Sequence, residues 1–380
     1  MKKHSIHDLV TPAALVDLNR VEHNISEMAI RAREGGVSLR PHIKTHKCIE
    51  IGKMQLKAGA RGITVSTLAE AAAFADAGFN DITYAVPLSP DKFSGVQRIS
   101  EQSHLNVLLD HPVMVEHLSQ FCKTAELSLD VLVKINCGYP RTGIDPNTPG
   151  AISLVKKIYD DPNLSFKGIL THAGHSYDAK TVSEIKRVAL QEQEVMVRFA
   201  EALNQENTNL KPEVVSIGST PTARLADAFQ EGITEIRPGN YVFFDYTQVA
   251  LGTCRISDCA LTVLASVISV NPGRVVIDAG ATALSKDTGP THIEPNVGYG
   301  KLFENYQKSR LNTDFILKSL SQERGKLVPV DSARLGYKHG DKVRIVPNHS
   351  CLTANLFDHY QIVKEESVVD RWTVHRGRFE

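Results

Sequence analysis

The run Val37-Ser38-Leu39-Arg40-Pro41-His42-Ile43-Lys44 sets the pattern for most of the chain: a short apolar stretch, then a polar, basic end. Similar β-branched runs recur at 62–65, 82–86, 106–110, 129–135, 166–171, 214–218 and 234–237, which makes eight with 37–42. Segments with helical period lie between them, such as 68–77 and 182–203. In the latter, Val188, Leu190, Val195, Met196 and Phe199 are expected to form the apolar face. Strands alternating with helices imply parallel pairing and right-handed crossovers. Eight such units predict a closed (β/α)8 barrel of the TIM type, over residues 18–250. An open doubly wound sheet is the rival, and it often carries a glycine-rich first βα turn that this sequence lacks.

Past residue 250 the pattern changes to strands with turn signals and little helix. The segments are 259–270, 274–278, 327–329, 342–347 and 367–375, with Asn271-Pro272-Gly273 as a turn. Residues 251–380 therefore read as a second, mostly β domain. The strand Ala13 to Asp17 precedes the first barrel unit, so residues 1–17 are expected to pair with that domain.

Composition narrows the function. Of 380 residues, 42% are hydrophobic and 23% charged, and Lys+Arg and Asp+Glu both total 43. With a pI near 7.3 there is no basic excess to draw the chain to nucleic acid or an anionic membrane. The apolar stretch 260–270 is too short to span a bilayer, and Lys2 and Lys3 precede no apolar signal core. The reading is a cytoplasmic enzyme with a small-molecule substrate. Six irregularly spaced cysteines suggest free thiols rather than a disulfide framework.

In a parallel barrel, chemistry gathers at the carboxyl ends of the strands. Alternation along an extended strand predicts Arg40, His42, Lys44 and His46 on one side, in the barrel mouth. Neighbouring cations and partial burial lower a lysine's pKa and free the amine to form a Schiff base. The seventh strand end gives Gly218, Ser219 and Thr220, and the eighth gives Gly239 and Asn240. These are the loops where the fold commonly holds phosphate, and a helix from Pro221 would aim its N–H groups at an anion. A Schiff-base lysine plus a phosphate cradle suggests pyridoxal 5'-phosphate (PLP); a sugar-phosphate aldolase is the alternative. In the second domain, His349-Ser350-Cys351 on an extended segment would place imidazole and thiolate on one side, a donor pair suited to zinc.

These residues resemble the D-threonine aldolase and D-serine dehydratase family, PLP enzymes of the alanine-racemase-like fold. The resemblance rests on Arg40-Pro41-His42-Ile43-Lys44-Thr45-His46-Lys47, Thr171-His172-Ala173-Gly174, Gly218-Ser219-Thr220-Pro221-Thr222 and Pro347-Asn348-His349-Ser350-Cys351. It implies a barrel carrying the cofactor, a β domain supplying a metal, and a homodimer. Lys44 would carry the cofactor, Arg141 would approach its phenolic oxygen, and Tyr177 would lie near the ring. Gly218, Ser219, Thr220, Gly239 and Asn240 would hold the phosphate, and His349 and Cys351 the metal. Within the family, His-x-Asp marks the aldolase type with manganese and His-x-Cys the dehydratase type with zinc. Cys351 therefore implies elimination from a D-3-hydroxy amino acid: D-serine, D-threonine or 3-hydroxy-D-aspartate. Cα–Cβ cleavage is the alternative, and a racemase or a non-catalytic PLP-binding protein the reading from other classes. Arg224 or His292 are candidates to meet a second substrate carboxylate.

Overall fold

The computed structural model describes residues 4–330 and 336–377. They divide into two compact units. One comprises Glu27–Lys44, Ile51–Gly239 and His375–Glu380; the other comprises Met1–Ser26, Thr45–Glu50 and Asn240–Val374.

The first unit holds an eight-stranded parallel sheet. Its strands are Ser38–Leu39, Ile63–Val65, Asp81–Pro87, His104–Leu109, Leu129–Lys134, Leu164–Leu170, Val214–Ile217 and Glu235–Ile236. All eight fall within the apolar runs read from the sequence or overlap them. Ser38–Leu39 pairs with Glu235–Ile236, and a parallel bridge between His42 and Thr64 joins the first two strands. The sheet thus curls until its edges meet. Buried ion pairs reinforce the closure: Arg40 Nε donates to Glu235 at 2.7 Å, and its Nη1 and Nη2 reach Asp81 at 2.6 and 2.9 Å. Helices start where a hydroxyl accepts from the first turn, as Thr67 does from Glu70 N–H and Thr181 from Glu184 N–H.

The helix Val182–Glu206 matches the expected face only in part. It buries Ile185, Ala189, Glu192, Met196, Phe199 and Leu203, whereas Leu190 is exposed and Val188 and Val195 are half-buried. Met196 and Phe199 are buried as expected, and the buried stripe also includes the carboxylate of Glu192.

The second unit is built on an eleven-stranded, mostly antiparallel sheet. Ala13–Asp17, the strand expected from the sequence, lies between Leu261–Asn271 (antiparallel) and His359–Lys364 (parallel). The core under this sheet includes Val263, Val275, Ile277, Leu317, Leu327 and Ile345, each below 1% exposed. The strands Lys301–Asn305, Phe315–Leu320 and His359–Lys364 escaped the sequence reading. None of the six cysteines forms a disulfide. Among the described residues no helix is long and apolar enough to cross a membrane.

Candidate active site

In the barrel unit, Lys44 sits in the 3-10 turn Ile43–Thr45, not in a strand. Pairing continues through His42, whose N–H donates to the Pro238 carbonyl at 3.0 Å, and the extended alternation ends where the 3-10 turn begins at Ile43. The expected ladder of Arg40, His42, Lys44 and His46 on one side therefore breaks. Arg40 is neutralised by Glu235 and Asp81. His46 belongs to the other unit: its carbonyl accepts from Tyr360 Oη at 2.7 Å and its ring packs edge-on to Phe243.

Two histidines replace that ladder. His42 Nδ1 faces the backbone N–H of Lys44 at 3.5 Å, so Nδ1 accepts and Nε2 carries the proton towards Ser66 Oγ at 3.3 Å. His172 Nδ1 lies 2.9 Å from the carbonyl of Gly218, which only accepts, so this ring is protonated on Nδ1. Burial, and then the charge of Lys44, hold both imidazoles well below their usual pKa. Lys44 is therefore flanked by neutral rings of defined tautomer.

Lys134 ends the fifth strand and is buried. Burial, followed by the charge of Arg237, lowers its ammonium to about 7. Arg141 is exposed and its guanidinium stands 5.4 Å over the Tyr139 ring, which in turn stacks on His175. Its charge is felt by both Lys134 and His172. Tyr177 closes the 3-10 turn Gly174–Tyr177 and is half-buried.

The loop after the seventh strand is shaped differently from the expectation. Gly218 has φ +124°, and a Cβ there would stand 3.0 Å from the Arg237 nitrogen. Its N–H does not face solvent: it donates to Glu192 Oε1 at 2.8 Å, as Ala173 N–H does at 3.2 Å. Glu192 is wholly buried on the helix Val182–Glu206 and pins the loops after strands six and seven together. Its sequence signal was a lone carboxylate on an apolar helical stripe, four residues before Met196. Ser219 caps the helix Thr220–Leu225, accepting from Thr222 N–H, and its hydroxyl lies 2.9 Å from Ser176 Oγ. Thr220 is buried on the first turn of that helix, and Gly239 is buried at the end of the barrel unit.

In the sheet unit, Asn240 Nδ2 donates to Asp245 Oδ2 at 2.6 Å and Ser350 Oγ at 3.0 Å, and lies 3.8 Å from Cys351 Sγ. Its side chain thus serves the His-Cys motif. That motif is not a straight extended segment. His349 precedes the short helix Ser350–Ala354, and Cys351 lies in its first turn. The two side chains still act on each other electrostatically, the Cys351 sulfur helping Asp287 to raise the His349 pKa against the effect of burial. His349 Nδ1 meets Asp287 Oδ2 at 3.1 Å, and Thr45 Oγ1 stands 3.2 Å from Cys351 Sγ. A carboxylate behind one ring nitrogen leaves the other to bind, the usual backing of a metal-ligating histidine. Among the described residues no cluster of three or more His, Cys, Asp or Glu has metal-binding geometry. The donors present, one imidazole and one thiol, fit a soft ion such as zinc. Lys44 between neutral rings and the hydroxyl-lined loop of Ser219 likewise fit a phosphorylated aldehyde.

A parallel curled barrel with a lysine at its mouth, joined to a β domain, defines an enzyme of the alanine-racemase-like PLP fold. Residues 16–247 match the alanine racemase N-terminal domain, and residues 260–363 match the putative serine dehydratase domain. The chain belongs to this family and is one of its lyases. It is 36% identical to a D-serine dehydratase of Dictyostelium discoideum, over 96% of each chain. A D-threonine aldolase of Arthrobacter sp is 29% identical, covering 97% of this chain and 93% of the aldolase. The solved D-threo-3-hydroxyaspartate dehydratase of Delftia sp. HT23 superposes with a TM-score of 0.93 at 35% identity, over 99% of this chain and 100% of its own. A cysteine-to-alanine variant of a D-threo-3-hydroxyaspartate dehydratase has been solved in a metal-free form (TM-score 0.92, 34% identity).

Proposed function

We propose that the protein is a dehydratase of D-3-hydroxy amino acids, converting D-serine, D-threonine or 3-hydroxy-D-aspartate to a 2-oxo acid and ammonia. The observation that carries the choice of reaction is the His349–Cys351 pair with Asp287 behind the imidazole. A thiolate favours zinc, whereas a carboxylate in its place would favour manganese or magnesium. Residues 18–250 carry the cofactor, and 251–380 with strand 1–17 supply the metal. The enzyme acts as a cytosolic homodimer.

When bound, PLP supplies the electron sink and the metal a Lewis acid for the departing hydroxyl. Lys44 holds the cofactor and then removes the substrate α-proton at Nζ. One lysine on one face predicts D-substrates. His172, protonated on Nδ1 by its bond to Gly218, presents an Nε2 lone pair and adds no charge beside the amine. Arg141 serves the cofactor's phenolic oxygen, Tyr177 its ring, and Ser219, Thr220, Gly239 and, through its backbone N–H rather than its engaged side chain, Asn240 its phosphate. Gly218 contributes through its conformation and its carbonyl, because its N–H is held by Glu192.

The aldolase relative keeps Cα–Cβ cleavage as the second reading. One experiment separates them: product analysis over a panel of D-3-hydroxy amino acids, after chelation and after adding back zinc or manganese. Zinc-restored release of ammonia and 2-oxo acid is expected. Glycine plus an aldehyde would establish the aldolase, and full activity in the chelated enzyme would remove His349 and Cys351 from the chemistry.

A further inference from the structure

Arg224, a sequence candidate for contact with substrate, is carried elsewhere by the fold. It lies near the end of the helix Thr220–Leu225, and in this architecture each helix runs away from the mouth to return the chain to the start of the next strand. The helix Leu18–Glu34 likewise ends just before the first barrel strand. The carboxyl-terminal ends of these two helices line an open cleft of about 450 Å³ within the barrel unit. That volume is within the range of small-molecule sites, roughly 300–1,000 Å³.

The cleft is lined by both signs of charge: Arg31 and Arg224 against Glu27, Glu34 and Asp227, with Phe229 beside them. Two of these groups, Arg224 and Glu34, make no side-chain hydrogen bond among the described residues, and Arg224 has only a loose ion pair with Glu27, at 3.8 Å, too long for a hydrogen bond. Glu34 has no ion pair or hydrogen bond among the described residues. Arg31 is a fixed wall: its Nε and Nη2 donate to the carbonyls of Ala223 and Ala226 at the end of the helix that Ser219 begins. Its ring neighbour Phe229 fills the space where a side chain at Gly35 would stand. Burial and the proximity of Arg224 both lower the pKa of Arg31, so the two cations lie close together.

We infer that this cleft, on the side of the barrel away from Lys44, is a binding site for a zwitterionic α-amino acid. Its carboxylate engages Arg224 beside Arg31, and its ammonium engages Glu34. The Arg224 guanidinium fork and the Glu34 carboxylate supply one complement for each end of such a molecule, and Phe229 and Ile30 offer an apolar surface for its side chain. The inference does not depend on which reaction occurs at the barrel mouth.

The test is equilibrium dialysis of the full-length holoenzyme with L-serine, in wild type, Arg224→Ala and Glu34→Gln. N-acetyl-L-serine, which lacks the ammonium, and ethanolamine, which lacks the carboxylate, are the paired controls. L-serine is expected to bind wild type saturably and each variant about tenfold or more weakly. N-acetyl-L-serine should lose sensitivity to Glu34→Gln, and ethanolamine sensitivity to Arg224→Ala. Absence of saturable L-serine binding, or equal affinity in wild type and both variants, overturns the inference. Both substitutions lie in half-exposed or exposed positions, so the variants keep the fold in which binding is read.

Discussion

Lys134 shows how far a single residue can depart from its sequence appearance. It closes an apolar strand and could pass for a solvated end, yet it is 5% exposed, with Arg237, Arg141 and Glu192 among the ionisable groups around it. Folding lowers its pKa from an ordinary lysine value to about 7. Between those two values the unfolded chain binds the extra proton, so the contribution of this group to stability rises with pH from about 7 upwards and is flat below it. The slope is at most about 1.4 kcal/mol per pH unit. Lys134→Met should remove this slope from urea-denaturation free energies measured between pH 7 and 9. An identical pH dependence in variant and wild type would show that the amine keeps its ordinary pKa in the fold. The site residues were legible as types: a lysine, two histidines and hydroxyls at strand ends. Their partners were not, because Glu192, Glu235 and Asp81 come from distant stretches and only the closed sheet brings them together. His46 misled because the 3-10 turn Ile43–Thr45 ends the alternation on which its placement depended.

Elements were easiest to read where burial is two-sided. The barrel strands are covered on both faces, so they are continuous β-branched runs that stand out from their surroundings. Strands such as Phe315–Leu320 and His359–Lys364 alternate with polar residues and include Lys318 and Gln361, so the apolar signal is diluted. The expected face of the helix Val182–Glu206 holds for Met196 and Phe199 but not for Leu190, and the buried stripe also takes in a carboxylate, Glu192, that hydrophobicity does not mark. Its carboxylate is the acceptor for Ala173 and Gly218 N–H, so Glu192→Leu leaves two buried donors unpaired, at roughly 1–3 kcal/mol each. Removing a buried charge offsets part of this. The net loss should appear as a lower midpoint in chemical denaturation, with Glu192→Gln closer to wild type because an amide oxygen still accepts. A Glu192→Leu protein as stable as wild type would show that the two loops hold themselves.

On the scale of the whole chain, neither compact unit is a contiguous piece of sequence. The sheet unit draws on residues before 27, at 45–50 and from 240 onward. Residues 240–374 produced alone should therefore be aggregation-prone, with the edges of Leu261–Asn271 and His359–Lys364 unpaired. A peptide covering residues 1–26 should restore solubility; a soluble, monomeric 240–374 fragment with cooperative unfolding would contradict this.

The placement of Ala13–Asp17 also bears on synthesis. This strand is made well before either of its neighbours, one of which begins at residue 261 and the other at 359. Leu15 and Val16, wholly buried in the finished protein, must stay unpaired while the intervening chain is made. At about 5–20 residues per second that wait is on the order of ten to fifty seconds. This strand thus acquires its neighbours only after more than two hundred further residues have been made, and translation speed sets how long a sticky β segment must be shielded.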